Sequence, residues 1–164
     1  MKRIQLALVA WTSLTVSLTS CTDPPADGAP FDHRDAQAEQ DRGNHDEAAR
    51  MWRVLAEQGD VEAQFSLGVS YHLGTGVRRD NTAAREWFLK AANQGHATAM
   101  QMLGFLHFGG WDVPQDYVAA HMWYNLSAAH GGGAGPGRDL VAEMMTPSQI
   151  AEAQRLAREW MVER

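Results

Sequence analysis

The chain repeats itself at a spacing of 36 residues, and few folds are compatible with that. Val61–His96 laid over Ala97–Gly132 without a gap gives 11 identities in 36 positions, where unrelated segments of ordinary composition share about two. The identities are Ala63/Ala99, Leu67/Leu103, Gly68/Gly104, Gly74/Gly110, Val77/Val113, Asp80/Asp116, Ala83/Ala119, Ala84/Ala120, Trp87/Trp123, Ala92/Ala128 and Gly95/Gly131. Small, apolar and turn-forming residues are what a stacked unit must keep, and a period of this length predicts an all-α solenoid of helix-turn-helix units.

Within Val61–His96 the spacing predicts a first helix with Ala63, Leu67, Val69 and Tyr71 on its buried side. Gly68 is costly in a helix interior, by about 1 kcal/mol against Ala; its expected role is to let the second helix come close. Gly74 and Gly76 end that helix. Asp80 is the expected N-cap of a second helix, whose apolar face carries Ala83, Ala84, Trp87, Phe88, Ala91 and Ala92, with Gly95 closing it. Residues 97–132 repeat the scheme through Leu103, Gly104, Gly110, Asp116, Trp123 and Gly131, with Asp112 in place of the loop glycine.

Residues 31–60 and 133–164 are expected to cap the stack as helix pairs. Upstream, Ala48, Met51, Trp52, Leu55 and Ala56 match a second helix, preceded by a polar first helix over 31–42. Downstream, the run Gly131–Gly137 is expected to break the register, before a short helix over 138–145 carrying Leu140, Val141, Met144 and Met145. Thr146-Pro147-Ser148-Gln149 has the form of a capping box. In the last helix, Ile150, Ala153, Ala157, Trp160 and Met161 form the expected apolar stripe, and Arg155, Arg158 and Arg164 suit a C-terminal end.

Residues 1–20 read as a leader: Lys2 and Arg3 precede an apolar stretch from Ile4 to Leu18, interrupted by hydroxyls and too short for a membrane span. It ends in Leu18-Thr19-Ser20-Cys21, which resembles the bacterial lipobox, so Cys21, the only cysteine, is the expected lipidation site. Residues 21–30, rich in Pro and Asp, read as an extended tether. With Thr22 after the cysteine, the expected location is the bacterial envelope, lipid-anchored and facing the periplasm, at the outer membrane rather than the inner. Cleavage would remove two basic residues and leave 12 basic against 20 acidic. That balance argues against nucleic-acid binding and leaves membrane attachment to the acyl chains. With one cysteine no intramolecular disulfide can form.

Glu62-Ala63-Gln64, Leu67-Gly68, Gly74-x-Gly76-Val77 and Trp87-Phe88-x-Lys90-Ala91-Ala92-x-Gln94-Gly95 resemble the Sel-one-like repeat family, relatives of tetratricopeptide repeats. Tyr117-Val118-x-Ala120-His121-Met122-Trp123-Tyr124 and the segment from Met145 to Gln154 resemble the closing segments of its bacterial members. The resemblance covers roughly residues 43–160 and implies a non-enzymatic adaptor or scaffold that binds other proteins or peptides of the envelope. It also implies a concave wall lined by first helices, on which Phe65, Val69, His72, Met102, Phe105 and Phe108 are the candidate partner-binding residues. These side chains either face a partner or pack between neighbouring first helices. Trp111, in the place of Thr75, is either an exposed anchor or folds back on its loop.

Two other readings stand beside the adaptor. One is a structural assembly factor of an envelope secretion or polysaccharide complex. The other, because some secreted members of the family are associated with β-lactam or cell-wall binding, is a weak hydrolase of related substrates. No serine sits in a nucleophile elbow, and none of the seven histidines forms an HExxH motif. No catalytic residue, metal or cofactor is expected.

Overall fold

The computed structural model describes residues 31–112 and 114–163. The leader, Cys21, the tether, Val113 and Arg164 lie outside the described residues. The chain is all-α, with eight helices and no strand among the described residues: α1 (His33–Asp41), α2 (His45–Glu57), α3 (Val61–Leu73), α4 (Asn81–Asn93), α5 (Ala97–Gly109), α6 (Tyr117–Ala129), α7 (Gly135–Ala142) and α8 (Pro147–Val162). Helices α2, α4 and α6 begin at His45, Asn81 and Tyr117, and α3 and α5 at Val61 and Ala97. Each set is offset by 36 residues, so the repeat register already governs α2, while α1, starting at His33, departs from it.

The caps explain why the helices start where they do. The carboxylates of Asp60, Asp80 and Asp116 accept from the backbone N–H of Ala63 (2.7 Å), Ala83 (3.0 Å) and Ala119 (2.9 Å). Each satisfies one of the four donors that a helix leaves unpaired at its N-terminus. At α5 the imidazole of His96 takes this role, its Nδ1 accepting from Ala99 N at 3.0 Å. The first helix of each repeat ends on a glycine in the left-handed region, Gly74 (φ 76°) and Gly110 (φ 65°), a conformation that costs other residues about 1 kcal/mol or more.

Each hairpin closes over a missing side chain. A Cβ on Gly68 would stand 2.6 Å from Phe88 Cε1, and one on Gly104 would stand 2.8 Å from the Tyr124 ring. The first helix thus lays bare backbone against an aromatic ring of the second. Around these crossings the core forms one central cluster, with Ala84, Phe88, Ala91 and Ala92 of α4, Met100, Leu103 and Leu106 of α5, Trp123 and Leu126 of α6, and Ala157 of α8. Smaller clusters lie at each end, around Trp52, Leu55 and Leu67, and around Tyr124, Ala134 and Val141.

Three sequence expectations are corrected. The glycine run does not delay the next helix to residue 138: α7 begins at Gly135. A Cβ on Gly137 would lie 2.9 Å from Tyr124 Cζ, so the glycine lets α7 press on α6, and Tyr124 has glycines on two neighbouring helices. Arg155 does not serve the end of α8. It sits mid-helix and bridges Glu152 and Glu159 at 2.5 Å each, and the last turn carries no basic residue. Met161 leaves the apolar stripe and is exposed, while the buried side of α8 is carried by Ala153 and Ala157; Leu140 of α7 and Met144 just beyond it are exposed as well.

Candidate functional site

Phe65, Val69 and His72 share one face of α3, three to four residues apart, and all are half-buried. Their undersides rest on the core: Phe65 and Val69 pack against the central cluster, and the Phe65 ring lies 5.9 Å from that of Phe88. Their outer edges extend toward α5. Phe65 stacks on the His96 ring at 4.6 Å, and His72 meets Phe105 edge-on at 5.9 Å. Trp111 folds back and stays exposed at once. Its ring lies 4.4 Å from Phe105 and over Gly109, where a Cβ would strike it, yet it is 38 % exposed. The result is an aromatic strip from Phe65 through His72 and Phe105 to Trp111. At the Phe65 end it opens into a cleft of about 230 Å³ between α1 and α3, lined by Gln37, Gln40, Trp52, Phe65, Ser66 and Val69 among others.

Two candidates stand apart from this strip. Met102 is half-buried against the central cluster. Phe108 turns toward α6, its ring 6.1 Å from that of Tyr117, beside the C-terminal cluster.

A polar network missed by sequence reasoning fixes the strip from behind. Asn81, the first residue of α4, is 1 % exposed. Its Nδ2 donates to Asp112 Oδ2 at 3.0 Å, and its Oδ1 lies 2.7 Å from His72 Nδ1. A carboxylate only accepts, so the amide nitrogen faces Asp112 and the amide oxygen faces His72, whose Nδ1 therefore carries the ring proton. Asp112 itself is held at φ 55°, a conformation that Asp and Asn tolerate better than most residues. The network joins α3, α4 and the α5–α6 loop, and its signal is weak in the sequence because the copy of Asn81 is Tyr117.

A second joint lies at His96. With Nδ1 occupied as a cap acceptor, its proton stands on Nε2, 3.3 Å from Glu62 Oε1. Cap, ring stack and carboxylate contact all meet on this side chain between the two repeats.

Elsewhere, burial lowers the pKa of His107, with Arg85 adding to the effect, and lowers that of His121, with Arg138 adding. His121 Nδ1 is 3.0 Å from Asn125 Nδ2. Among the described residues, no group of three or more His, Cys, Asp or Glu is placed to hold a metal ion, and no helix is long and apolar enough to cross a membrane.

Helix pairs stacked in register, with a central core cluster and a smaller one at each end, define an α-solenoid with an aromatic strip along its first helices. The Sel1 repeat model matches residues 61–96 and 97–132. Among solved structures it is similar to a protective antigen present in uropathogenic Escherichia coli strains that displays an SLR fold. That match has a TM-score of 0.70 and 28 % identity, and covers 77 % of this chain and 30 % of the other. It is also similar to a Sel1 repeat protein from Oxalobacter formigenes, with a TM-score of 0.55 and 35 % identity, covering 60 % of this chain and 42 % of that one. Among curated proteins, a stretch of 53 residues, 32 % of this chain, is 40 % identical to the ERAD-associated E3 ubiquitin-protein ligase component HRD3A of Arabidopsis thaliana, of which it spans 8 %. The chain thus spans less than half the length of each of these relatives.

Proposed function

We propose that this protein is a non-enzymatic adaptor that binds other proteins through the first-helix wall, tethered in a bacterial envelope by lipid on Cys21. The observation that carries the reading is the strip Phe65–His72–Phe105–Trp111. It crosses two repeats, rests on a rigid core and leaves a tryptophan edge in solvent. A surface of this kind presents large apolar contact area whose ordering entropy is already spent. Sel1 repeats act in protein–protein interaction, which agrees with this use. The lipid anchor is supported by the basic, apolar and small-residue order of the leader ahead of a single cysteine.

A photo-crosslinking residue placed at position 111 of the full-length protein in intact cells tests the wall. Adducts from position 111, with none from Glu86 replaced in the same way, support it; equal labelling from both positions refutes it. A single stoichiometric neighbour would favour the assembly-factor role, and many substoichiometric clients the adaptor. Cys21→Ser tests the anchor. The variant should leave the membrane fraction, and unchanged fractionation refutes lipidation.

A further inference from the structure

Three arginines of this acidic protein are gathered at one groove, with no carboxylate partner among the described residues. The groove, about 750 Å³ in volume, is lined by Arg53 of α2, Tyr71 of α3, Arg78 and Arg79 of the α3–α4 loop, and Thr82 and Asp112, within the size range of natural binding clefts. All three arginines are exposed. Elsewhere among the described residues, Arg34, Arg42, Arg50, Arg138 and Arg155 each form an ion pair with a nearby carboxylate. The groove arginines form none with a described carboxylate, as is also true of the isolated Arg85 and Arg158; what sets Arg53, Arg78 and Arg79 apart is that they line one groove. The groove is also lined by two acids, each held by a hydrogen bond to its own repeat: Asp80 caps α4 and Asp112 holds Asn81, so the three arginines leave the groove one positive charge in excess. Arg53 is pre-oriented, its Nη2 donating to the Tyr71 hydroxyl at 2.9 Å, which leaves further guanidinium N–H groups for a ligand.

We propose that this groove receives an acidic peptide segment of a partner protein, with Arg53, Arg78 and Arg79 pairing its carboxylates. Guanidinium forks match carboxylates two bonds at a time. The apolar flank supplied by Val77 and the Tyr71 ring suits a peptide backbone and its side-chain stems. A long nucleic-acid strand would have to run beyond three arginines onto a protein whose net charge is −6, and repulsion disfavours it. The proposal rests on the adaptor reading for the nature of the occupant, but it concerns a different surface from the aromatic strip.

The test is fluorescence anisotropy of the purified full-length protein, in detergent, with a labelled Asp/Glu-rich decapeptide and with its Asn/Gln counterpart. The acidic peptide should bind, and should weaken as salt rises from about 0.05 to about 0.5 M. Loss of one charged hydrogen-bonded pair should cost about tenfold in affinity, so Arg78→Glu combined with Arg79→Glu should abolish measurable binding and Arg53→Gln should reduce it. Tyr71→Phe, which frees Arg53 without removing charge, should weaken it less, and Arg155→Gln should leave it unchanged. Equal binding of the neutral peptide overturns the proposal. So does indifference to the Arg78 and Arg79 changes, or tighter binding of a single-stranded oligonucleotide lost with the same variants. Inorganic phosphate competing as effectively as the acidic peptide would assign the groove to small anions and also overturn it. Position-111 crosslinks report separately on the strip. Peptide binding lost with those crosslinks retained removes only the groove's role, and the reverse removes only the strip's.

Discussion

Phe88 lies directly on Gly68: its ring occupies the place a side chain at Gly68 would take, 2.6 Å from an ideal Cβ. Phe88 is fully buried, so it has no free space into which to swing. Gly68→Ala should therefore destabilise by about 1–3 kcal/mol through overpacking, and Gly104→Ala, which meets the Tyr124 ring and the Ala120 carbonyl, by a similar amount. Gly135→Ala, where nothing lies within 4 Å of the new Cβ, should be neutral or slightly stabilising. Urea unfolding midpoints measure all three, and equal midpoints would show that the helices do not cross this closely.

Gly76 offers a harsher case. Its Cβ would collide with the His45 carbonyl, and its φ is +70°. Gly76→Ala combines a backbone clash with left-handed strain, so its loss should exceed that of Gly68→Ala in the same measurement.

The Asn81 network permits an exchange experiment. Asn81→Asp sets a carboxylate against that of Asp112 and should cost about 1–3 kcal/mol. Adding Asp112→Asn restores a donor opposite an acceptor: the new amide at position 112 can donate to the new carboxylate at position 81, which still accepts from His72 Nδ1. The double variant should recover most of the loss in thermal melts, because asparagine also tolerates the φ of 55° at this position. A double variant no better than the single one would show that the three side chains do not act together.

Acid should weaken the fold before its carboxylates titrate. His107 and His121 have lowered pKa values because burial penalises the charged ring. In the unfolded chain both take up protons near the ordinary value of about 6.5, while the folded chain resists until lower pH. The unfolded state then holds more protons, so stability falls as pH drops below about 6.5 and levels off below the native values. His121→Gln should flatten that slope in denaturation series between about pH 5 and 7; an unchanged slope would mean the ring takes up its proton as readily in the folded protein as in the unfolded chain.

The start of α8 gives a local check. Thr146 Oγ1 accepts from Gln149 N at 3.3 Å, and Gln149 Oε1 accepts from Thr146 N at 2.9 Å. Thr146→Ala should cost about 1 kcal/mol, visible as faster amide exchange in the first turn of α8.

The parts legible in the sequence are those that depend on neighbours at fixed spacing. Asp80 and Asp116 cap their helices, Gly74 and Gly110 end theirs, and Gly68 admits a second helix, because each of these answers to its own hairpin. What the sequence hides depends on long-range placement. Gly76 reads as a helix stop, but its backbone also lies against the start of α2. Asn81 has no counterpart at Tyr117, so periodicity is silent about the His72–Asn81–Asp112 bonds. Gly137 reads as a breaker because the ring it accommodates, Tyr124, belongs to another hairpin. The gathering of Arg53, Arg78 and Arg79 likewise follows only from how α2 meets the α3–α4 loop.

The central cluster reaches Ala157, and Trp123 packs edge-on against Trp160 at 5.8 Å. Helix α8 is therefore a lid on the second repeat. Without it Trp123 would lose its edge-on aromatic partner and that end of the central cluster would meet water.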